Sequence, residues 1–141
     1  MQIRILLLLT LGIYIQSNAQ TGKVIVQIEN IQIKKGGEVS AGIFNETNFL
    51  KTGKQLARTT REVTASKMVF EFTNLAVGEY AFVAYQDIDR NKSMKTNLIG
   101  YPKEPWGISN NPRILFGPPS FEESKIKVMA NQTTTVNIRL N

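Results

Sequence analysis

Apolar and polar residues alternate with a period of two through much of the chain beyond residue 20. Val24, Val26 and Ile28 occupy alternate positions, and Gln27 and Glu29 fall on the opposite face. Side chains of an extended strand point alternately to its two faces, so this spacing predicts a half-buried strand. A second strand is predicted at residues 38–44, preceded by two glycines that are typical of a turn.

Two further strands are predicted on either side of Gly78. Met68, Phe70 and Phe72 alternate with more polar residues, whereas residues 79–85 are apolar on both faces. A strand that is apolar on both faces is typical of the centre of a sheet. Gly78 is expected to supply the backbone freedom of the turn between them.

The last part of the chain alternates again at residues 125–129 and 133–140, and residues 130–132 are predicted to form the turn of a hairpin. Residues 45–64 fit no single period and predict a loop with one or two short edge strands. Short strands without helical periodicity or strand–helix alternation favour an all-β fold. We expect a single antiparallel sandwich of about seven strands, immunoglobulin-like or transthyretin-like, with one long inter-strand loop.

The first nineteen residues have the three parts of a secretory signal peptide. Arg4 precedes an apolar run at residues 5–15, and small residues at Ser17 and Ala19 stand where a signal peptidase reads. The run is shorter than the roughly 20 residues that cross a bilayer. The sequence therefore predicts a signal peptide at 1–19, cleavage near Ala19, and one domain at 20–141 that is periplasmic or extracellular and has no transmembrane segment.

The amino-acid composition excludes disulfides and several kinds of catalytic site. The chain has no cysteine and no histidine, so it forms no disulfides and has no Ser-His-Asp or Cys-His catalytic site. Its net charge is +6, but aromatic residues do not interleave with the basic ones, which argues against nucleic acid and favours a solvated face. Acidic glycans and lipid headgroups are the remaining candidates for weak binding to the basic residues. These residues are densest in the region that contains Lys51, Lys54, Arg58, Arg61 and Lys67.

The stretch from Phe72 to Tyr80 resembles the phrase Phe-x-x-Leu-x-x-Gly-x-Tyr of prealbumin-like and carboxypeptidase-regulatory-like sandwich domains. Most of the chain resembles the domain-of-unknown-function family 2141. Two family motifs carry this resemblance, His-Asp-x-Asn-x-Asn-Gly-x-x-Asp-x-Asn and Gly-x-Pro-x-Glu-x-x-Gly-x-Ser-Asn-Asn, and the second matches residues 100–111. The resemblance implies an exported bacterial β-sandwich and no established activity.

The first family motif suggests calcium, because alternating Asp and Asn oxygens can surround a hard cation. Asp87, Asp89 and Asn91 occupy matching positions. Lys95, however, stands where the last acid is expected, and its ammonium would repel a divalent ion. We therefore expect no cofactor, and a salt bridge from Lys95 to Asp87 or Asp89 that substitutes for calcium. Other departures are Gln86 in place of the family histidine, and Arg90 and Lys92 in place of glycines.

The end of the long loop holds the other candidate residues. Trp106 either presents an aromatic face to a ligand or caps the core with its N–H bonded to a loop carbonyl. Ser109, Asn110 and Asn111 either bind a ligand or satisfy the backbone of the loop itself.

Three functional interpretations follow from the sequence. The leading one is a non-enzymatic binding or accessory module of the cell envelope, which uses the loop at 87–111 against an unidentified envelope or extracellular partner. The second is a structural domain whose loop is stabilised by calcium or by an internal salt bridge. The third is a carboxylate- or metal-dependent enzyme acting on an extracellular polymer, with Glu104 paired to Glu122 or Glu123.

Overall fold

The computed structural model describes residues 20–98, 101–114 and 117–141. The predicted signal peptide at 1–19 lies outside the described residues. Within these ranges, no helix has the length and apolar character needed to span a membrane.

The described residues are built mainly from strands, which confirms the all-β prediction. Eight strands are present where about seven were expected, and the additional short strand β6 lies inside the predicted long loop. One helical turn, α1 (Phe121–Ser124), precedes β7. The strands are β1 (Thr21–Glu29), β2 (Glu38–Phe44), β3 (Ala57–Glu62), β4 (Lys67–Ala76), β5 (Gly78–Asp87), β6 (Trp106–Ile108), β7 (Ile126–Val128) and β8 (Thr133–Arg139).

The strands form two sheets. One has the order β4-β1-β8 and the other has the order β3-β2-β5-β6, with β7 also paired to β5. The central position predicted for residues 79–85 is confirmed, because β5 pairs with β2, β6 and β7. Strand β3 is the edge strand expected within 45–64.

Three details differ from the sequence predictions. The hairpin expected around residues 130–132 is wrong, because β7 pairs with β5 in one sheet while β8 pairs with β1 in the other. The β1–β8 pair is also parallel, whereas all other described strand pairs are antiparallel. Asn74 has a positive φ of 57° before the β4–β5 corner and Gly78 does not, so the conformational freedom of glycine is not what turns the chain there.

Two apolar clusters lie on the two faces of the five-stranded sheet. The inner cluster fills the space between the sheets, and Val24, Val26 and Ile28 of β1 are fully buried in it. The outer cluster lies on the opposite face, where two loops cover the sheet. Its members are Phe44, Val83, Trp106 and Ile108, with Phe49, Leu50, Tyr85, Met94 and Ile114 packed against them.

Candidate functional site

A groove crosses the outer face of the five-stranded sheet. Strand register places Ser40 opposite Tyr85 and Tyr85 opposite Trp106, and Gly42 lies opposite Val83. Residues directly opposite each other in a sheet share a face, so these five residues form a common floor. We call this space the outer groove. The loop at 45–56 and residues within 92–96, 101–114 and 117–118 bound it and leave a volume of about 680 Å³.

The outer groove is predominantly apolar. Gly42 contributes to its depth, because a Cβ at this position would point to the groove face, with Phe44 Cε2 at 3.4 Å as the nearest atom. A volume of this size is within the range of pockets that hold small molecules. The large apolar residues that line it are Phe44, Leu50, Val83, Met94, Trp106 and Ile114.

Trp106 has an unsatisfied hydrogen-bond donor. Its side chain is 6% exposed, and the ring of Tyr101 packs edge-on against it at 6.4 Å. Its Nε1 is buried and has no hydrogen-bond partner, and among the described residues no other buried side-chain nitrogen or oxygen shares this condition. The alternative in which this N–H bonds a loop carbonyl is therefore not realised. Besides the outer groove, Trp106 borders a smaller depression of about 200 Å³ beside Arg139 and Asn141.

The rim of the outer groove carries only positive charge. Lys51, Arg58 and Lys92 line it, and no Asp or Glu is among the described lining residues. Arg58 Nη1 donates a hydrogen bond to the Lys92 carbonyl oxygen at 3.1 Å, which holds the two cationic residues together. Burial raises the pKa of the Tyr85 hydroxyl on the floor beneath them.

Ser109, Asn110 and Asn111 are engaged in internal hydrogen bonds. Ser109 is fully buried; its Oγ accepts from Phe82 N–H at 3.0 Å and donates to the Ser124 carbonyl. The Asn110 amide donates to the Lys125 carbonyl at 2.9 Å. The Asn111 side chain donates to one backbone carbonyl of β8 and accepts from one of its N–H groups. These three residues therefore hydrogen-bond to backbone groups of the protein itself, which is the second of the two interpretations made from the sequence.

Residues 87–98 and 101–105 lie against each other, with Thr96 bridged to Pro102 and the Gln86 N–H bonded to the Pro105 carbonyl at 2.8 Å. We call these two described stretches the finger. At its base, one carboxylate oxygen from each of Asp87, Asp89 and Glu104 lies within 4.8 Å of the others. Asp87 and Glu104 are buried, whereas Asp89 is exposed.

The carboxylates in this cluster already have donors. Asp87 accepts from the Lys92 N–H at 2.7 Å, and Glu104 accepts from the Ile88 N–H at 3.0 Å and the Lys95 N–H at 3.2 Å. The Lys95 ammonium contacts Asp89 Oδ2. The predicted salt bridge of Lys95 is thus confirmed, with Asp89 as its partner.

The pKa values of this pair follow from its geometry. The hydrogen bond from Lys95 lowers the pKa of Asp89, and the same bond raises the pKa of Lys95. Asn91, the third candidate ligand, directs its Oδ1 to the Ser93 N–H at 2.8 Å. The oxygen atoms that could bind calcium therefore already accept hydrogen bonds from N–H groups or contact the Lys95 ammonium. This arrangement does not fit a calcium site.

Two non-glycine residues preserve the shape of the finger. Lys92 stands where the family motif has its glycine, and it and Arg90 have positive φ angles of 64° and 59°. Few side chains adopt this conformation easily. Arg90 is additionally fixed by Glu62, with Nη2 and Oε2 at 2.7 Å.

The glutamates considered for acid–base catalysis make separate local contacts. Glu104 lies against Asp87 and Asp89. At α1, Glu122 contacts the Lys125 ammonium at 2.9 Å, and Glu123 accepts from the Ser120 N–H at 2.8 Å.

Residues 26–137 match the family described as uncharacterized protein conserved in bacteria (DUF2141). The chain belongs to this family. The match confirms the resemblance deduced from the two loop motifs, and residues 101–111 of the second motif form β6 and its flanks. The description of DUF2141 names no ligand or reaction. Comparisons with curated proteins and with solved structures give no significant match.

Proposed function

We propose that this DUF2141 protein is a non-enzymatic binding module of the bacterial cell envelope that holds a small, largely apolar ligand in the outer groove. One observation carries the proposal. The buried Nε1 of Trp106 has no partner although Trp106 lines an apolar groove. Leaving a buried donor unpaired costs about 1–3 kcal/mol, and a ligand acceptor that reaches Nε1 by displacing the atoms that cover it would remove that cost.

The construction of the outer groove supports this role. Its floor is formed by adjacent, hydrogen-bonded strands, and a site on rigid elements needs little ordering when a ligand binds. The walls come from the loop at 45–56 and from residues within 92–96, 101–114 and 117–118, and loops of this kind tolerate sequence change better than the strands they connect. The signal peptide predicted at 1–19 supports a location outside the cytoplasm.

The proposal is tested with N-phenyl-1-naphthylamine, a neutral apolar dye whose fluorescence rises in dry surroundings. We expect wild-type protein to bind the dye with a micromolar dissociation constant. Gly42→Leu projects a side chain from the floor and should weaken binding at least tenfold, whereas the matched variant Gly42→Ala should bind nearly as wild type does. Circular dichroism checks that both variants are folded. Absence of dye binding to wild type, or equal binding by Gly42→Leu, would overturn the proposal.

A second candidate function concerns the finger. The ion pair between Lys95 and Asp89, together with the backbone N–H groups on Asp87 and Glu104, supports a structural role in which Lys95 acts as the cation of the loop. The finger supplies Lys92, Ser93 and Met94 to the wall of the outer groove. In this role the finger shapes the groove and does not itself bind an ion.

A further inference from the structure

We propose that the ligand of the outer groove is a small carboxylate with an apolar body, an inference that rests on the binding function proposed above. The binding function requires only an apolar occupant. The charge of the rim and the hydrogen-bond donors of the floor add the requirement for an anionic head.

The rim selects the sign of the ligand charge. Lys51, Arg58 and Lys92 face the groove without an acidic lining residue among the described positions. None of the three takes part in the ion pairs formed between described residues. Potentials of like charges add over such a cleft, so an anion is attracted and a cation is repelled.

The donors at this end of the groove match a carboxylate. Arg58 donates one N–H to the Lys92 carbonyl at 3.1 Å and has four further N–H donors in a planar fork, which is the geometry that pairs with both oxygens of a carboxylate. Register places Ser40 opposite Tyr85, and both residues line the groove, so two hydroxyl groups lie on the same floor. The Ser40 hydroxyl also shares a hydrogen bond with Thr60 Oγ1 at 3.0 Å.

The remainder of the groove fits an apolar body. Phe44, Val83, Met94 and Ile114 contribute only apolar side-chain groups to the lining. A volume of about 680 Å³ accommodates a bicyclic aromatic or a medium-length acyl chain, since drug-sized ligands occupy pockets of roughly 300–1,000 Å³.

Three probes with one aromatic body and different charge test the inference: 2-naphthylacetate, 2-(2-naphthyl)ethanol and 2-(2-naphthyl)ethylammonium. Each is titrated by displacement of N-phenyl-1-naphthylamine. We expect the carboxylate to bind about tenfold more tightly than the alcohol, and the ammonium to bind more weakly than the alcohol.

Variants assign the preference to the rim. Arg58→Gln should lower carboxylate affinity about tenfold and alcohol affinity much less, and Arg58→Lys should retain part of the preference. Lys127→Gln removes the same charge from an exposed position on β7, away from the groove lining, and should bind all three probes as wild type does. Arg58 is exposed, so its replacement should not unfold the protein.

The outcomes separate this inference from the function on which it rests. Equal affinity for the three probes would overturn the carboxylate assignment and leave the binding function intact. Equal losses in Arg58→Gln and Lys127→Gln would also overturn it. Failure of wild type to bind the dye or any probe would overturn both proposals. A dimer that excludes the dye would identify a second copy of the chain as the occupant, and would overturn the carboxylate assignment.

Discussion

Gly42 and Gly107 lie in strands of the same sheet, and the surroundings of their missing side chains differ. A Cβ on Gly107 would lie 2.5 Å from the Arg139 carbonyl oxygen and 2.7 Å from Ile138 Cγ2. The nearest atom to a Cβ on Gly42 would be at 3.4 Å, which is an ordinary contact. Glycine at 107 therefore permits β6 to pack closely on β8, whereas glycine at 42 leaves space in the outer groove.

This difference predicts opposite results for the same substitution. Gly107→Ala should lower the free energy of unfolding by about 1–3 kcal/mol, because overpacking must displace backbone atoms of β8. Gly42→Ala should change the free energy of unfolding by less than about 1 kcal/mol, in the stabilising direction, because alanine lowers the conformational entropy of the unfolded chain. Urea denaturation of both variants measures the effect. Equal stabilities would show that β6 does not pack on β8 as described.

At the scale of elements, the finger combines backbone turns and side-chain charges. Its alternating Asp and Asn residues act largely as turn residues, as Asn91 does toward Ser93. The acidic groups at its base are stabilised by N–H donors and by Lys95. A single change of charge at Lys95 therefore reveals whether the finger can accept an external cation.

We expect Lys95→Asp to make the finger calcium-dependent, because it replaces the ammonium with a carboxylate beside Asp87, Asp89 and Glu104. A site with a dissociation constant near 10⁻⁴ M in 10 mM calcium would gain roughly 2.7 kcal/mol. That gain should raise the melting temperature by about 10 °C relative to excess chelator. Wild type should show no calcium-dependent shift in the same thermal unfolding experiment.

Lys95→Met is the control for this prediction, since it removes the ammonium without adding a ligand. It should be indifferent to calcium. A calcium-dependent shift in wild type would contradict the role assigned to Lys95 as the cation of the loop. Indifference of Lys95→Asp would show that the three carboxylates cannot form a calcium site.

The edges of the two sheets are also linked at this scale. Arg61 of the edge strand β3 donates to the Val69 carbonyl of β4 at 2.7 Å, and its guanidinium lies 5.3 Å from the centre of the Phe70 ring. The side chain thereby joins an edge strand of one sheet to an edge strand of the other. Charged residues on edge strands oppose pairing with other chains, and here the same residue also holds the sandwich together.

At the scale of the whole molecule, the two apolar clusters share strand β5. Phe82 and Ala84 pack in the inner cluster, and Val83 packs in the outer one. The sole tryptophan, Trp106, belongs to the outer cluster, so its fluorescence reports on that layer. Because one strand contributes to both layers, we expect neither layer to be lost independently.

Unfolding in urea should therefore give coincident transitions by Trp106 fluorescence and by far-ultraviolet circular dichroism, as a two-state domain does. The midpoints should agree within experimental error. An earlier fluorescence transition would show that the loops covering the outer face detach while the sandwich remains folded. That result would place the outer groove in a less stable unit than its floor.

The sequence predicted those features that depend on local alternation. The inward faces of β1 and β8 and the central position of β5 follow from spacing within each strand. Residues 79–85 are apolar on both faces, and this pattern is the only sequence feature that indicates an apolar outer face of the five-stranded sheet. The pairing partners of β7 and β8 could not be deduced in this way, because pairing depends on contacts between distant segments.

The candidate site shows the same limit. Trp106, Asp87 and Asp89 were identified from residue type and motif, and Lys95 was assigned its salt bridge from charge alone. Glu104 lies far along the chain from Asp87, so only the return of the finger brings the two together. The outer groove likewise forms where two separate loops cover one face of the sheet. The sequence of either loop alone does not predict it.

The parallel pairing of β1 with β8 has a mechanical consequence. The first and last strands are neighbours that run in the same direction over seven residue pairs, so the two ends of the domain leave the pair at opposite ends. Tension applied through those ends loads the inter-strand hydrogen bonds together in shear, and they cannot open one at a time. A domain anchored at one end and pulled at the other would therefore resist force as a unit, with its lifetime governed by the rate of forced unfolding.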